Sequence, residues 1–271
     1  MAQGLVLMPP VYDGQNKKGY LMKGSELIKQ VGFDKYFHTD SWEAANKSFF
    51  NHLAPKYDQL NDVISLGQQQ EYRDAAIGAL NLKEGMRVLD VCTGSGDMAI
   101  YMSQRCKGLT IDAVDVAEEM LALAKDKVEH LDLQDIRFYE ASALQLPFED
   151  NTFDAIMMCF GLRNLKDITL GLKEMHRVLK PGGIFTTLDL GKPKGKWQKA
   201  LYHIYYERLM PWLGKVLFHR HEYNSFAYLS ISNKYFPDSE EIMSMMFREG
   251  FRNIYDRHYM LGGVAQQVGK K

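Results

Sequence analysis

The chain has 271 residues, 46% of them hydrophobic and 25% charged, which excludes a wholly disordered chain and suits a folded domain with a sizeable core. Its 33 lysines and arginines balance 34 aspartates and glutamates, so no overall charge favours a nucleic-acid partner. The three cysteines Cys92, Cys106 and Cys159 include no CxxC pair, which excludes a dense zinc framework and a disulfide scaffold and indicates a reducing compartment.

The first 40 residues are predicted to form an extension, because Pro9-Pro10 and Asp13-Gly14 are turn and breaker signals. The apolar run at 4–8 is too short for a signal core, and the first arginine, Arg73, comes too late for a mitochondrial presequence. The sequence contains no uncharged apolar run long enough to cross a membrane. We therefore expect a cytoplasmic protein.

Residues 41–271 are predicted to form one domain that opens with two helices. Ser41 caps a helix whose apolar face includes Trp42 and Phe49 and which Pro55 ends, and a second helix follows at about 68–80. Strands and helices then alternate. The predicted strands lie at 86–91, 109–116, 136–140, 153–160, 184–190, about 251–260 and 264–268, and the predicted helices at 98–105, 117–130, 168–179 and 238–249.

This alternation predicts an α/β fold, a doubly wound and mostly parallel seven-stranded sheet with helices on both faces and right-handed crossovers. The helix at 168–179 is expected to bury Leu170, Leu172, Met175 and Leu179, and Pro181-Gly182-Gly183 to form a tight turn before the next strand. Residues 192–236 interrupt the pattern as a helical insert.

The most informative segment follows the first predicted strand. It contains Gly94 and Gly96 in a GxGxxA pattern before a helix, a weak signal for a nucleotide-type cofactor. Asp90, four residues before Gly94, disfavours a pyrophosphate and favours the ammonium and sulfonium of S-adenosylmethionine. Asp115, at the end of the second strand, suits ribose hydroxyls of either cofactor. The alternative is a simple tight turn beside two solvated carboxylates.

Two further features belong to this edge of the sheet. Cys92 occupies a loop position where glycine is common, so the backbone there must tolerate a side chain. Ser142 and the Ala143 N–H follow the third strand and could reach an adenine edge, although Ser142 could equally be a capping residue of the loop.

Several segments resemble class I S-adenosylmethionine-dependent methyltransferases, namely the glycine loop, Leu146-Pro147-Phe148 and the run at 177–183. Three more resemble the C-methyltransferases of ubiquinone and menaquinone biosynthesis: YDQLNDVIS at 57–65, FGLRN at 160–164, and GGVA at 262–265 with Gly269-Lys270. The resemblance covers about residues 45–270. It implies a Rossmann-like fold, an N-terminal helical lid and S-adenosylmethionine as cofactor.

The resemblance also implies a set of cofactor-binding positions. Together with Asp90 these are Gly94, Ser95, Gly96, Asp115, Val116, Ser142, Ala143 and Cys159. Cys159 stands where family members often carry Ser or Thr, and a buried small side chain is its alternative interpretation. No metal site is predicted.

The implied substrate is a reduced quinone, either a demethylmenaquinol or a ubiquinol precursor, since only the quinol has an electron-rich ring carbon. Arg163 is the candidate for stabilising the phenolate and is a poor direct base, with a structural clamp as its alternative. Asn164 could hold Arg163 or a ring oxygen. Tyr57, with Asp58 and Asn61, is assigned to a lid over the cofactor, and Tyr57 is a catalytic candidate as a wall or hydroxyl donor, with a core aromatic as its alternative interpretation. The histidines, His52, His203, His219 and His221, have no partner visible in the sequence and are not favoured as bases.

The chain departs from the family pattern at three places. Gln69 and Tyr72 stand where family members usually carry His and Trp, and Asp189-Leu190-Gly191 replaces a usual Glu-x-Ser. These departures leave open methylation of another phenolic or small molecule. The sequence also leaves open a non-catalytic cofactor-binding scaffold and, more distantly, a nicotinamide dehydrogenase.

The insert carries much apolar surface after Lys192, Lys194, Lys196 and Lys199. This surface suits the hydrophobic tail of a quinol or peripheral contact with an anionic membrane. Ordinary helix packing or a homodimer interface accounts for it equally well.

Overall fold

The computed structural model describes residues 41–57, 69–204, 209, 232–233 and 236–271. The predicted extension at 1–40, Asp58 and Asn61 of the lid segment, and most of the insert, with His219 and His221, lie outside these residues. The division into an extension and one domain therefore remains a prediction.

Seven strands form a single sheet in the order β3-β2-β1-β4-β5-β7-β6. The first five strands are parallel to one another, and β7 pairs antiparallel with both β5 and β6. The strands are β1 (Arg87–Val91), β2 (Thr110–Asp115), β3 (Ile136–Glu140), β4 (Phe153–Cys159), β5 (Leu179–Leu190), β6 (Arg252–Tyr259) and β7 (Val264–Lys270). The predicted seven-stranded, mostly parallel sheet is confirmed.

Seven α-helices are described. They are α1 (Trp42–Leu53), α2 (Gln69–Ala79), α3 (Asp97–Arg105), α4 (Glu118–His130), α5 (Ile168–Val178), α6 (Lys196–His203) and α7 (Ser239–Arg248). Side chains set several starts: Ser41, Asp167 and Asp238 each accept a backbone N–H from the first turn of α1, α5 and α7. A short 3-10 turn, Ala54–Lys56, extends α1 past the position where Pro55 was expected to end it.

Three predictions about α5 and β5 are wrong in detail. Leu170 is 40% exposed, because the face of α5 that meets the sheet consists of Gly171, Leu172, Met175 and Val178 and Leu170 points away from it. Leu179 is the first residue of β5 and not the last of the helix. The Pro181-Gly182-Gly183 segment lies within β5 as a bulge, since the pairing with β4 moves from Phe153↔Leu179 directly to Ala155↔Ile184.

Apolar side chains cover both faces of the sheet. One face buries Val88, Ala155 and Met157 against α2 and α3, and the other buries Leu89, Ile156 and Phe185 with residues of α5 and α7. Burial on both faces explains the almost continuous apolar runs of the central strands. It also leaves the carboxyl ends of the parallel strands as the edge where polar side chains can gather.

Candidate active site

A cavity of about 400 Å³ lies at the carboxyl ends of β1, β2, β3 and β4. Residues from α1 and Tyr57 line one side of it, and loops after the strands line the other. The residues that line it and were predicted from the sequence are Tyr57, Gly94, Asp115, Val116, Ser142, Ala143, Cys159 and Asn164. Asp90, Ser95, Gly96 and Arg163 are not among its lining residues.

The loop after β1 turns sharply through three left-handed residues. Cys92, Gly94 and Gly96 have φ values of 57°, 55° and 79°, a region that glycine reaches without steric cost and other residues rarely adopt. A Cβ on Gly96 would lie 2.8 Å from Cβ of Ala124 in α4, so the glycine permits close packing at the start of α3. Ser95 is buried in this turn.

Cys92 is accommodated by a glycine distant in sequence. A Cβ on Gly161, in the FGLRN segment, would lie 2.6 Å from Cβ of Cys92. The missing side chain at 161 therefore makes room for the side chain at 92. Burial raises the pKa of the Cys92 thiol well above its ordinary value, so this residue is a neutral neighbour of the cavity.

Asp115 is held by backbone groups and opens onto the cavity. Its Oδ2 accepts the Gly94 N–H at 2.8 Å, and its Oδ1 accepts the Ala117 N–H at 2.9 Å. Burial raises the pKa of Asp115, and these backbone hydrogen bonds oppose that rise. Each carboxylate oxygen has a second lone pair, so the group can accept two hydroxyl donors from a ligand.

Asp90 lies behind the loop and is buried. Its Oδ2 accepts a hydrogen bond from Oγ1 of Thr93 at 2.6 Å, which ties the carboxyl group to the glycine turn. Burial raises the pKa of Asp90 to about 7. The interpretation of Asp90 as a solvated strand end is therefore wrong.

The loop after β3 and the end of β4 line the cavity beside Asp115. Oγ of Ser142 accepts the Leu144 N–H at 3.2 Å, so Ser142 lines the cavity and also caps the turn. Burial raises the pKa of the Cys159 thiol, which keeps it neutral. Cys159 therefore shapes the wall of the cavity but adds no charge to it.

The opposite side of the cavity is formed by the segment after β4, where Arg163 is bound to Asp189 at the end of β5. The two side chains are 7% and 1% exposed, and Nη1 of Arg163 lies 2.5 Å from Oδ1 of Asp189. Nη1 also donates to the Phe160 carbonyl at 2.8 Å, and the Arg163 backbone N–H donates to Asp189 Oδ2 at 3.1 Å. Asp189, a departure from the family pattern, is therefore the carboxylate that fixes this arginine.

Asn164 joins this segment to the lid helix. Its side-chain Nδ2 donates to the Phe160 carbonyl at 3.1 Å, and its backbone carbonyl accepts Nε1–H of Trp42 at 3.0 Å. Tyr72, a second departure from the family pattern, is buried and packs edge-on against Phe160 at 5.9 Å between ring centroids. The structure thus brings Tyr72, Asn164 and Arg163 together around Phe160.

A second contact, which the sequence did not predict, holds the lid helix α1 against the domain. Lys47 in α1 lies 2.6 Å from Glu118 at the start of α4 and 2.8 Å from Glu140 at the end of β3. The hydrogen bond to Glu118, followed by that to Glu140, raises the pKa of Lys47. No short sequence motif joins these three elements, so only the fold could reveal this contact.

The cavity has further lining residues that no sequence argument selected. They are Glu43, Ala44, Asn46, Lys47 and Phe50 of α1, Val114 of β2, Met120 of α4, Glu140 of β3, and Leu165 and Lys166 after the FGLRN segment. The sequence showed the alternation of exposed and buried positions in α1, but it did not show which part of the protein the buried face covers.

His52 is exposed. No helix in the described part of the chain is long and apolar enough to cross a membrane.

These features define a class I methyltransferase fold. A SAM-dependent methyltransferase from Aquifex aeolicus, of known structure, matches it with a TM-score of 0.52 at 24% identity, over 73% of this chain and 88% of that one. The ubiE/COQ5 methyltransferase family model matches residues 38–271, and the chain belongs to that family. It is a methyltransferase that uses S-adenosylmethionine, as the resemblance implied.

Curated relatives cover most of the chain. A demethylmenaquinone methyltransferase from Bacillus subtilis is 36% identical over 227 residues, which are 83% of this chain and 96% of that protein. The protein of the same name from Staphylococcus epidermidis is 36% identical over 224 residues, 82% of this chain and 91% of its own length.

Proposed function

We propose that this protein transfers a methyl group from S-adenosylmethionine to a ring carbon of a reduced quinone, a demethylmenaquinol. The observation that carries the proposal is the family match over nearly all of the described chain, with relatives named demethylmenaquinone methyltransferase. The cavity supports it, because a carboxylate suited to ribose and an arginine segment flank the same space.

The residues present fit S-adenosylmethionine. A Cβ on Gly94 would lie 3.2 Å from Cε of Met120 and 3.9 Å from the Tyr57 hydroxyl, so the glycine leaves the cavity free at this point. In the proposal Asp115 accepts the ribose hydroxyls, Val116, Ser142 and Ala143 bind the adenine, and Cys159 packs beside it. Asp90 with Thr93 keeps the turn of Gly94, Ser95 and Gly96 in place. When bound, the cofactor supplies an electrophilic methyl group.

The chemistry of the acceptor decides what the protein must provide. A quinol becomes a carbon nucleophile when one phenol loses its proton, because the oxygen then pushes electron density to the adjacent ring carbon. Positive charge and hydrogen-bond donors near that oxygen lower its pKa. The protein must also hold the ring carbon in line with the methyl group and exclude water.

We assign the phenolate side to the segment after β4. Arg163 is the phenolate stabiliser, with Asp189 fixing the guanidinium from the next strand. Asn164 positions the segment against Trp42 and can meet a ring oxygen, since it lines the cavity. Tyr57 forms a wall of the cavity, packed edge-on against Phe50 at 6.4 Å between ring centroids.

A quinol of this kind carries a hydrophobic tail that dissolves in a bilayer, so we propose that the protein contacts a membrane peripherally when it takes up substrate. A homodimer remains the alternative use of the apolar insert. Neither use involves nucleic acid.

Turnover on a panel of acceptors tests the proposal. Dithionite-reduced demethylmenaquinol, a reduced demethoxyubiquinol precursor and a simple catechol are each incubated with the protein and S-adenosylmethionine. We expect the highest kcat/KM for the demethylmenaquinol. A preference of tenfold or more for the catechol would contradict the proposal and favour methylation of another phenolic compound.

A further inference from the structure

The lid helix α1 carries a buried carboxamide that the proposed chemistry has not used. Within α1, which is described in full, the buried residues are Trp42, Ala45, Asn46 and Phe49. Asn46 is 5% exposed and is the only carboxamide among these four. Burying a polar side chain costs free energy unless it makes hydrogen bonds, so Asn46 is the informative member of the set.

Asn46 lies at the wall of the cavity. It lines the cavity together with Glu43 and Phe50, which stand three positions before it and four positions after it, as residues on one helix face do. Asn164 lines the same cavity from the segment after β4. Two carboxamides therefore border the space in which the acceptor is proposed to bind, one on the lid helix and one on the loops.

Hydrogen bonds near both ends of α1 fix its position over the cavity. At the N-terminal end, Nε1–H of Trp42 donates to the Asn164 carbonyl at 3.0 Å. Toward the C-terminal end, Oδ1 of Asn51 accepts the Glu119 N–H at 3.1 Å, at the start of α4. Because helical side chains tilt toward the N-terminus of their helix, the side chain of Asn46 leans toward the end of α1 that contacts Asn164.

The helix backbone orients the carboxamide of Asn46. Its Nδ2 donates to the Trp42 carbonyl at 3.3 Å. Since a carbonyl oxygen only accepts hydrogen bonds, this contact places the nitrogen toward the backbone, and Oδ1 is the atom that can accept a hydroxyl of a ligand. Such an oxygen binds a hydroxyl but not another carbonyl, which has no hydrogen to donate.

We infer that Oδ1 of Asn46 accepts a hydrogen bond from the second hydroxyl of the quinol, the one across the ring from the phenolate. The inference rests on the proposed function for the nature of the acceptor. Arg163 and Asn164 are assigned to the reacting oxygen on the loop side, so the opposite oxygen of the ring points toward α1. Asn46 then selects the reduced acceptor at the binding step, because an oxidised quinone presents a carbonyl oxygen to the same Oδ1.

Two matched acceptors test this contact with the full-length protein. One is a reduced demethylmenaquinol with a short prenyl tail, and the other is the same compound without the hydroxyl across the ring from the reacting one. Their intrinsic reactivities are the same for every variant, so a change in the ratio of the two kcat/KM values reports the contact. Asn46→Leu removes the carboxamide. Asn51→Leu is the matched control, because Asn51 is a carboxamide of the same helix that does not line the cavity.

We expect Asn46→Leu to reduce the preference for the dihydroxy acceptor about tenfold, the effect of one hydrogen bond. The loss should appear as a higher KM with nearly unchanged kcat, because the contact is the same in the ground state and the transition state. Asn46→Asp, which keeps an acceptor oxygen, should retain most of the preference, and Asn51→Leu all of it. Calorimetric binding of S-adenosylhomocysteine checks that each variant is folded.

Inhibition by oxidised demethylmenaquinone provides a measurement that needs no variant. In the native protein we expect its inhibition constant to lie at least tenfold above the KM of the matching quinol. In Asn46→Leu the quinone should bind as tightly as in the native protein or more tightly, while the quinol binds more weakly. Equal values for quinone and quinol in the native protein would overturn the inference.

The variants can overturn it independently. An unchanged ratio in Asn46→Leu would do so, and so would an equal loss for both acceptors, which would show that Asn46 only holds α1 in place. The same change of ratio in Asn51→Leu would assign the effect to the position of the lid. Turnover of the quinol with an unchanged ratio would leave the proposed function in place, whereas a native protein that methylates neither acceptor would contradict the proposed function and the inference together.

Discussion

The two sides of the cavity hold a carboxylate in different ways. In the loops after β1 and β2, backbone N–H groups of Gly94 and Ala117 fix Asp115, and the group opens onto the cavity. In the segment after β4, the side chain of Arg163 fixes Asp189, and both groups are nearly fully buried. The first arrangement needs only a turn of the right shape, whereas the second needs two strand ends to meet.

This difference leads to different sensitivities. A backbone-held carboxylate can be replaced without leaving a buried charge, so its loss is expected to appear in ligand affinity. A buried ion pair that loses one partner leaves the other charge uncompensated, so its loss is expected to appear in stability as well. The following predictions test that contrast in order of decreasing effect.

Removing the charge of Asp189 should have the largest effect. Asp189→Asn leaves the buried guanidinium of Arg163 without its counter-charge, and we expect the free energy of unfolding to fall by about 3–5 kcal/mol in urea titrations. Glu240→Gln breaks the exposed pair with Lys194 and is expected to cost less than about 1 kcal/mol. Similar losses in the two variants would contradict the contrast.

Asp90 is expected to make stability depend on pH. Its folded pKa of about 7 lies above the ordinary value of 3.8, so the folded state binds more protons between these values and the contribution of Asp90 to stability falls as pH rises from about 4 to 7. The full shift corresponds to at most about 4 kcal/mol. Unfolding titrations of Asp90→Asn should lack this decline, and an unchanged pH profile would refute it.

Replacing Arg163 should reduce turnover. Preorganised charge at a developing oxyanion contributes roughly 10²–10³ in rate, so we expect Arg163→Ala to lose that much in kcat, with partial recovery at higher pH, where the phenol ionises unaided. Arg163→Lys should restore only part, because it lacks the planar fork. Arg163→Ala also leaves the buried carboxylate of Asp189 without its partner, so we expect its free energy of unfolding to fall as well. The folded variant should bind S-adenosylhomocysteine with nearly normal affinity. Near-normal kcat in Arg163→Ala would contradict this role and would show that the arginine is a structural clamp.

Asp115→Ala should weaken cofactor binding and little else. Hydrogen bonds to a charged group contribute about 1.5–3 kcal/mol, so we expect S-adenosylmethionine affinity in calorimetry to fall by that amount. Asp132→Ala, at an exposed turn, serves as control and should bind normally. Unchanged affinity in a folded Asp115→Ala protein would remove Asp115 from the cofactor site.

The lid contact of Lys47 should have the smallest effect. Exposed ion pairs contribute at most about 1 kcal/mol, so Lys47→Met is expected to raise the dissociation rate of S-adenosylhomocysteine up to about fivefold in stopped-flow measurements, with high salt giving the same effect in the native protein. Lys107→Met is the control. A rate that neither salt nor the substitution alters would show that Lys47 does not hold the lid.

The same contrast explains what the sequence could predict. The glycine turn and Asp115 are local consequences of strand, glycine and helix spacing, so the residues alone could predict that they lie together at this edge of the sheet. The ion pair of Arg163 with Asp189 joins residues 26 positions apart, one in the segment after β4 and one near the end of β5. The sequence showed Asp189 only as a departure from the family pattern.

Two further details depended on contacts distant in the chain. Gly161 leaves space for the side chain of Cys92, which adopts a left-handed conformation. Pro181-Gly182-Gly183 forms a bulge within β5, because that strand pairs with β4 at Leu179 and again from Ile184. The sequence identified both positions as turns, but it did not show which distant residues pack against them. Tertiary packing decided the outcome in both cases.

Transfer of an isotope-labelled methyl group tests the central claim most directly. The protein is incubated with S-adenosylmethionine carrying a ¹³C methyl group and with demethylmenaquinone kept either reduced or oxidised, and the product is analysed by NMR. We predict label on the ring carbon adjacent to a hydroxyl, formed only from the reduced compound. Label on oxygen, or equal transfer to the oxidised quinone, would contradict C-methylation of a quinol.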